Sequence, residues 1–258
     1  MNLMLNNIFD THSHYDDEKF SPDRDELLSS LPNRGVSFAV SCGCDIESSK
    51  FNRELAEKYD YIYFAAGFHP ENLEGFSLND IKEIEELARH KKCVAIGEIG
   101  LDYHWMSSTK EKQRDFFKAQ IELAKRLDMP VIVHDREAHG DTLEILREMK
   151  PKGVLHCFSG SKESAKEIVS FGMYIGLNGV ATFKNARKSL EVLHEIPLDR
   201  LVLETDCPYL APEPYRGRRN DSSYIQFIAE RLSAEIGITA QELLDITAEN
   251  AKRLYNMV

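Results

Sequence analysis

Eight extended, β-branched runs alternate along the chain with amphipathic helical patterns, which predicts an α/β fold: a TIM (β/α)8 barrel forming a single domain over residues 1–258. No Pro- or Gly-rich linker, internal repeat or low-complexity segment interrupts that alternation. An open doubly wound sheet is the competing topology, but no Gly-x-Gly-x-x-Gly turn follows the first run.

The first strand is expected at 8–12, where the apolar pair Ile8-Phe9 leads into His12, and its helix at 22–31. Strands at 37–43, 61–67 and 93–99 follow, separated by helices at 48–58 and 78–90. The charged stretch 81–92 reads as a solvated outer face. A helix over 110–127 rests on Phe116, Gln120, Ile121, Leu123, Ala124 and Leu127, whose apolar members recur at helical spacing. Strands at 130–134, 153–157, 173–177 and 201–205 then alternate with helices at 141–150, 162–171 and 186–194. Two helices, 222–236 and 240–256, close the chain, and Thr239 with Glu242 has the spacing of a capping box at the start of the second.

Composition narrows the class. With 42% hydrophobic and 29% charged residues, the chain is globular rather than disordered. No apolar run has the length of a membrane span, and the N-terminal residues lack a basic region and a cleavage site, so a cytoplasmic location with no membrane partner is expected. Five cysteines, Cys42, Cys44, Cys93, Cys157 and Cys207, sit in apolar segments and read as reduced, buried small hydrophobes. The net charge of −11 argues against nonspecific coating of nucleic acid, yet bound divalent cations and a few arginines can offset that field at one site.

In a barrel of this kind chemistry sits at the C-terminal ends of the strands. Here the strand ends carry ligand-type residues with unusual regularity: His12 and His14, His69, Glu98, His134, His156, and Glu204 with Asp206 occupy the ends of strands one, three, four, five, six and eight. His12 and His14, two residues apart on an extended chain, face one side and can converge on one ion. Gathering so many ionisable groups in one mouth is costly without a metal or mutual pairing. Four histidines with Glu98 and Asp206 form an N/O donor set suited to Zn, Mn, Mg, Fe or Co, and too large for one tetrahedral ion. Two ions about 3.5–4 Å apart with a bridging carboxylate would use them all. Glu98 is the natural bridge, and Asp206 can hold a metal and accept a proton from an attacking water.

Asp10-Thr11-His12-Ser13-His14, Gly67-Phe68-His69-Pro70, Gly97-Glu98-Ile99-Gly100-Leu101-Asp102-Tyr103, His134-Asp135-Arg136, His156-Cys157-Phe158-Ser159-Gly160 and Glu204-Thr205-Asp206-Cys207-Pro208-Tyr209-Leu210 together resemble the TatD family of metal-dependent DNases, in order and over essentially the whole chain. The resemblance implies a barrel related to the amidohydrolases, with a binuclear divalent-metal centre (Mg, Mn or Zn) and an activated water that hydrolyses phosphodiester bonds. By position, one metal would be held by His12, His14, Glu98 and Asp206, and the second by Glu98, His134 and His156. His69 would sit beside the scissile phosphate, and Arg136 would fix that phosphate or the strand end. The implied activity is a 3′–5′ exonuclease on single-stranded DNA, with no obligatory protein partner. The alternative on the same scaffold is an ester or amide hydrolase, such as a D-aminoacyl-tRNA deacylase or a small-molecule amidohydrolase.

Tyr215-Arg216-Gly217-Arg218-Arg219-Asn220 resembles a Tyr-Arg-Gly-Lys-Arg-Asn loop of that family, and Arg216, Arg218 and Arg219 are expected to clamp phosphate at the barrel mouth. The Pro that follows in the family is absent from Asp221-Ser222-Ser223, which predicts a less rigid start to the next helix. His90, His139 and His194 fall in or at the ends of helices and are assigned surface or capping roles. His104 and Trp105 are equally suited to stacking on a base and to rim packing, and Glu204 to orienting a ligand.

Overall fold

The computed structural model describes residues 5–257; residues 1–4, part of the N-terminal stretch read above for a leader, lie outside them. The described residues form eight parallel strands paired in sequence order: β1 Ile8–Ser13, β2 Val36–Cys42, β3 Ile62–Ala66, β4 Cys93–Asp102, β5 Val131–Arg136, β6 Gly153–Leu155, β7 Tyr174–Leu177 and β8 Leu201–Leu203. Between and after them run α1 Arg24–Ser30, α2 Ile46–Lys58, α3 Ile81–Ala88, α4 Lys110–Arg126, α5 His139–Met149, α6 Lys162–Ser170, α7 Arg187–Glu195, α8 Ile225–Ile236 and α9 Ala240–Leu254. This is the TIM barrel that the alternation predicts. Among the described residues no helix is long and apolar enough to cross a membrane, and all five cysteines are unpaired.

Side-chain parity divides the core in two. Phe9, Val40, Val94, Ile132, Val154, Tyr174 and Val202 fill the barrel, and Ala248, Ala251 and Leu254 of α9 pack under them as a floor with Tyr255, which follows the helix. Their neighbours in the strands, among them Ile8, Phe64, Val131, Val133 and Leu203, face outward into the layer beneath the helices. α3 keeps Ile81, Ile84, Leu87 and Ala88 on that layer, so only part of the charged stretch is solvated.

The ring closes between β1 and β8. His14 N–H donates to Cys207 O at 2.8 Å, Asp206 N–H to His12 O at 2.9 Å, and Thr11 Oγ1 to Leu203 O at 3.0 Å. Buried Asp10 is the knot of this seam. It accepts from the N–H groups of His12 and Thr205 and from the hydroxyls of Thr205 and Ser222. Ser222 also meets Tyr15 Oη at 2.6 Å, and Asp221 Oδ1 accepts from Ser223 N–H. The start of α8 is therefore firmly tied, contrary to the expectation from its missing Pro: buried hydroxyls take over the restraint.

Burial pushes the Asp10 carboxyl from its ordinary 3.8 up to about 7, although its four hydrogen bonds pull the other way. A raised carboxyl means that the folded state keeps a proton which the unfolded chain has lost, so this group's contribution to stability falls as pH rises between about 4 and 7. Asp10→Asn is expected to cost about 1–3 kcal/mol through the mismatch with four donors and to remove that slope. Urea unfolding of both proteins from pH 4.5 to 7.5, values chosen about this window, checks it.

Candidate metal centre

Ile132 and Val154 point into the barrel, so two residues further on His134 and His156 point into its mouth; Val202 places Glu204 in the same way. In β1 and β4 this parity is interrupted. Register irregularities lie between Asp10 and Ser13 and between Ile96 and Ile99, beside His12 and Glu98. Gly67 allows β3 to approach closely, since a Cβ there would lie 2.9 Å from the Gly97 carbonyl carbon. His69 follows two residues later on the loop after that strand.

These residues meet in a cavity of about 1100 Å³ at the C-terminal ends of the strands, whose walls include His14, His69, Glu98, His134, His156 and Asp206. Glu98 is its hub. Its Oε2 lies 3.3 and 3.4 Å from the Nε2 atoms of His12 and His14. Its Oε1 faces the other side, 2.7 Å from His156 Nε2, 2.8 Å from His134 Nδ1 and 3.4 Å from His69 Nε2. Asp206 Oδ1 approaches the same two imidazoles as Oε2, at 3.5 Å from His12 and 3.4 Å from His14. His12–His14–Asp206, His12–Glu98–His156 and His69–Glu98–His134 are each close enough to share an ion.

The donor chemistry fits divalent cations. His14 Nδ1 lies 3.1 Å from the Cys42 carbonyl, which can only accept, so the proton belongs on Nδ1. The Nε2 lone pair is thereby aimed at His12 Nε2, 3.0 Å away, and a proton or a cation has to lie between the two nitrogens. His156 Nδ1 and Glu204 Oε2 are buried without a hydrogen-bond partner, with Glu204 Oε1 3.6 Å from the imidazole.

Electrostatics agree. Burial would raise Glu98, but His156, His69 and His12 around it hold its carboxyl well below the carboxylate range. Burial would lower His134, but Asp102 and Glu98 override it and push the imidazole up to about 9. Burial is likewise outweighed at His156, chiefly by Glu98 and Glu204, and at His14, by Cys44, Asp206 and Glu98. Protons thus occupy places that cations can take. His12 and His69 instead fall below the usual value because burial prevails.

The cluster also includes residues that the sequence analysis did not select. Asp102 Oδ2 lies 3.0 Å from His134 Nε2, and Glu71, Asp102 and His134 form a further ligand-type group. The available signal was parity: Glu98 and Asp102 share a face of a strand that runs to residue 102 rather than 99. Cys44 Sγ lies 3.8 Å from His14 Nδ1 and Cys42 Sγ 3.5 Å from His12 Nδ1, so two of the small hydrophobes also back the imidazoles. His90, His139 and His194 lie outside the ligand-type groups found among the described residues.

Arg136 lines the cavity, but Arg216, Arg218 and Arg219 are not among its walls. Arg219 is engaged elsewhere, with two 2.6 Å hydrogen bonds to Asp23 and its guanidinium over Phe20. Arg216 lies over Phe183 and Arg218 over Tyr215. The loop after β8 folds these side chains onto aromatic and acidic neighbours instead of gathering them as one clamp.

Residues 9–256 match the family model described as TatD related DNase. The chain is 43% identical over 253 residues to the "Uncharacterized metal-dependent hydrolase YabD" of Bacillus subtilis, covering 97% of this chain and 99% of that one. It is 34% identical over 259 residues to the "3'-5' ssDNA/RNA exonuclease TatD" of Erwinia tasmaniensis, covering 97% and 100%. Among solved structures, the TatD homolog YJJV of Escherichia coli superposes with a TM-score of 0.90 at 32% identity, covering 97% of this chain and 98% of that one.

Proposed function

Because the chain belongs to the TatD-related DNase family and is a metal-dependent hydrolase of ester bonds, we propose that it shortens single-stranded DNA from the 3′ end by hydrolysing phosphodiester bonds. The observation that carries the reading is the placement of Glu98, with Oε2 toward His12 and His14 and Oε1 toward His134 and His156. His12, His14, Glu98 and Asp206 would hold one divalent cation, and Glu98, His134 and His156 a second. When bound, such a pair of Mg, Mn or Zn ions supplies Lewis acidity that activates water and neutralises charge on the phosphoryl group.

The remaining chemistry belongs to side chains of this protein. Asp206 accepts the proton of the attacking water at a carboxylate oxygen. His69 acts as a donor: the Glu71 N–H donates to its Nδ1 at 3.2 Å, which leaves the proton of the neutral ring on Nε2, facing Glu98 in the cavity. From there it donates to a non-bridging oxygen of the scissile phosphate as negative charge develops. Arg136, on the wall of the same cavity, pairs with phosphate. Arg216 and Arg218, whose guanidinium groups lie over Phe183 and Tyr215, meet the strand only outside the cavity, and Arg219 acts as a structural tie.

A 5′-labelled single-stranded oligonucleotide with Mn tests the reading. A ladder that shortens from the 3′ end, abolished by chelator, is expected. His69→Ala is expected to lower kcat by about 10²-fold, the worth of one lost transition-state hydrogen-bond donor, while Mn binding persists. Intact DNA and RNA beside turnover of an aminoacyl-tRNA ester or a small amide would replace the nuclease reading with the alternative hydrolase.

A further inference from the structure

Trp105 is 59% exposed, although indoles are ordinarily buried for most of their surface. Its position is not that of a loose rim residue. Asp102 Oδ1 accepts the backbone N–H groups of His104 at 2.8 Å and Trp105 at 2.9 Å, while Oδ2 of the same carboxylate faces His134 Nε2 at 3.0 Å. One side chain therefore sets the offset between the indole's backbone and the candidate metal ligands. The ring is held as well: the Arg136 guanidinium lies 5.5 Å from its centroid, and His104 packs edge-on at 4.7 Å. His104 is itself anchored to Glu137 through a 2.8 Å contact. The result is an open aromatic surface, held by its backbone and its neighbours, on the wall of the cavity that contains Glu98, His134 and His156.

Tyr209 is the other exposed aromatic residue on that wall, but it is less open, with Lys19 Nζ 3.9 Å from its ring centroid, closer than Arg136 comes to the indole, and with its hydroxyl donating to Asp17. Leu78, also exposed, lies outside the cavity.

We propose that Trp105 is a stacking platform for an unpaired nucleobase next to the scissile phosphate, so that the favoured substrate is a base-bearing single strand rather than a bare phosphodiester chain. The assignment rests on the phosphodiesterase reading above and specifies how the substrate is recognised. Every base presents a π-face, so stacking on the indole is indifferent to sequence, whereas a base inside a duplex has both faces covered. Arg136 suits both parts of a nucleotide: its cation lies within cation–π range of the indole and its N–H fork suits phosphate.

The chain has a single tryptophan, so its emission reports on this ring alone. The probes are a ten-residue oligothymidylate and an oligomer of equal length whose bases are replaced by hydrogen, each with phosphorothioate linkages for binding and ordinary linkages for turnover. With Mn present, the base-bearing oligomer is expected to quench the emission strongly and the baseless one to leave it unaltered. The preference in kcat/KM for the base-bearing over the baseless oligomer is expected to fall about tenfold in Trp105→Ala and to return in Trp105→Phe. Equal quenching by both oligomers, or a preference that Trp105→Ala retains, would overturn the stacking assignment while leaving phosphodiester hydrolysis in place. If neither oligomer is hydrolysed, the phosphodiesterase reading itself fails, and the stacking assignment with it.

Discussion

Glu98→Gln is expected to lower kcat/KM on single-stranded DNA by about 10³-fold or more, the equivalent of roughly 4 kcal/mol of transition-state stabilisation. Glu98 is 2% exposed and its two oxygens serve opposite sides of the cavity, so losing the carboxylate removes a ligand from both proposed ions at once. Each other proposed ligand serves one ion, and its removal is expected to cost less. The fold should survive the substitution. Gln carries no charge to be desolvated, and His134 and His156, no longer drawn up by Glu98, can remain neutral. Activity lost with an unchanged unfolding midpoint is the expected pattern, and a protein that no longer folds would show that Glu98 is chiefly structural.

Gly100→Ala is expected to have the largest effect on stability, a loss of about 3–5 kcal/mol. Gly100 has φ of +147°, a region that side chains with a Cβ rarely enter. A Cβ there would sit 2.0 Å from the His134 carbonyl oxygen, and that obstacle is backbone, which no rotamer change can clear. β5 would have to move away from β4 at the strand that carries His134, so metal binding is expected to weaken together with the denaturant midpoint. A variant with wild-type stability would mean that the β4–β5 contact is more compliant than this close approach implies.

The barrel was legible because its signals are local and repeated: apolar runs bounded by helical periodicity recur eight times, and most predicted strands begin within a residue or two of their observed starts. Helix starts were less so. α2 begins at Ile46 rather than 48 because Asp45 caps it, its carboxylate accepting from Ser48 N–H at 2.8 Å. The histidines and Glu98 were legible as strand-end residues, and the structure brings all of them, with Asp206, into one cavity mouth. Asp102 was missed because strand four was expected to end at 99, whereas β4 resumes regular pairing after the shift between Ile96 and Ile99 and runs to 102. The three arginines show the opposite limit. Their spacing carries charge but not direction, and Asp23, which engages Arg219, lies 196 residues away in sequence. Asp10 belongs with them: its four donors come from residues 12, 205 and 222, a convergence that only the closed ring creates.

The proposal that one carboxylate bridges two cations is tested most directly by counting ions. Wild-type protein and Glu98→Gln, equilibrated with Mn by dialysis near neutral pH, are analysed for metal per chain. Two ions bound by the wild type and a loss of both high-affinity sites in Glu98→Gln is the predicted result. A single ion in the wild type, retained with the same affinity in the variant, would contradict it.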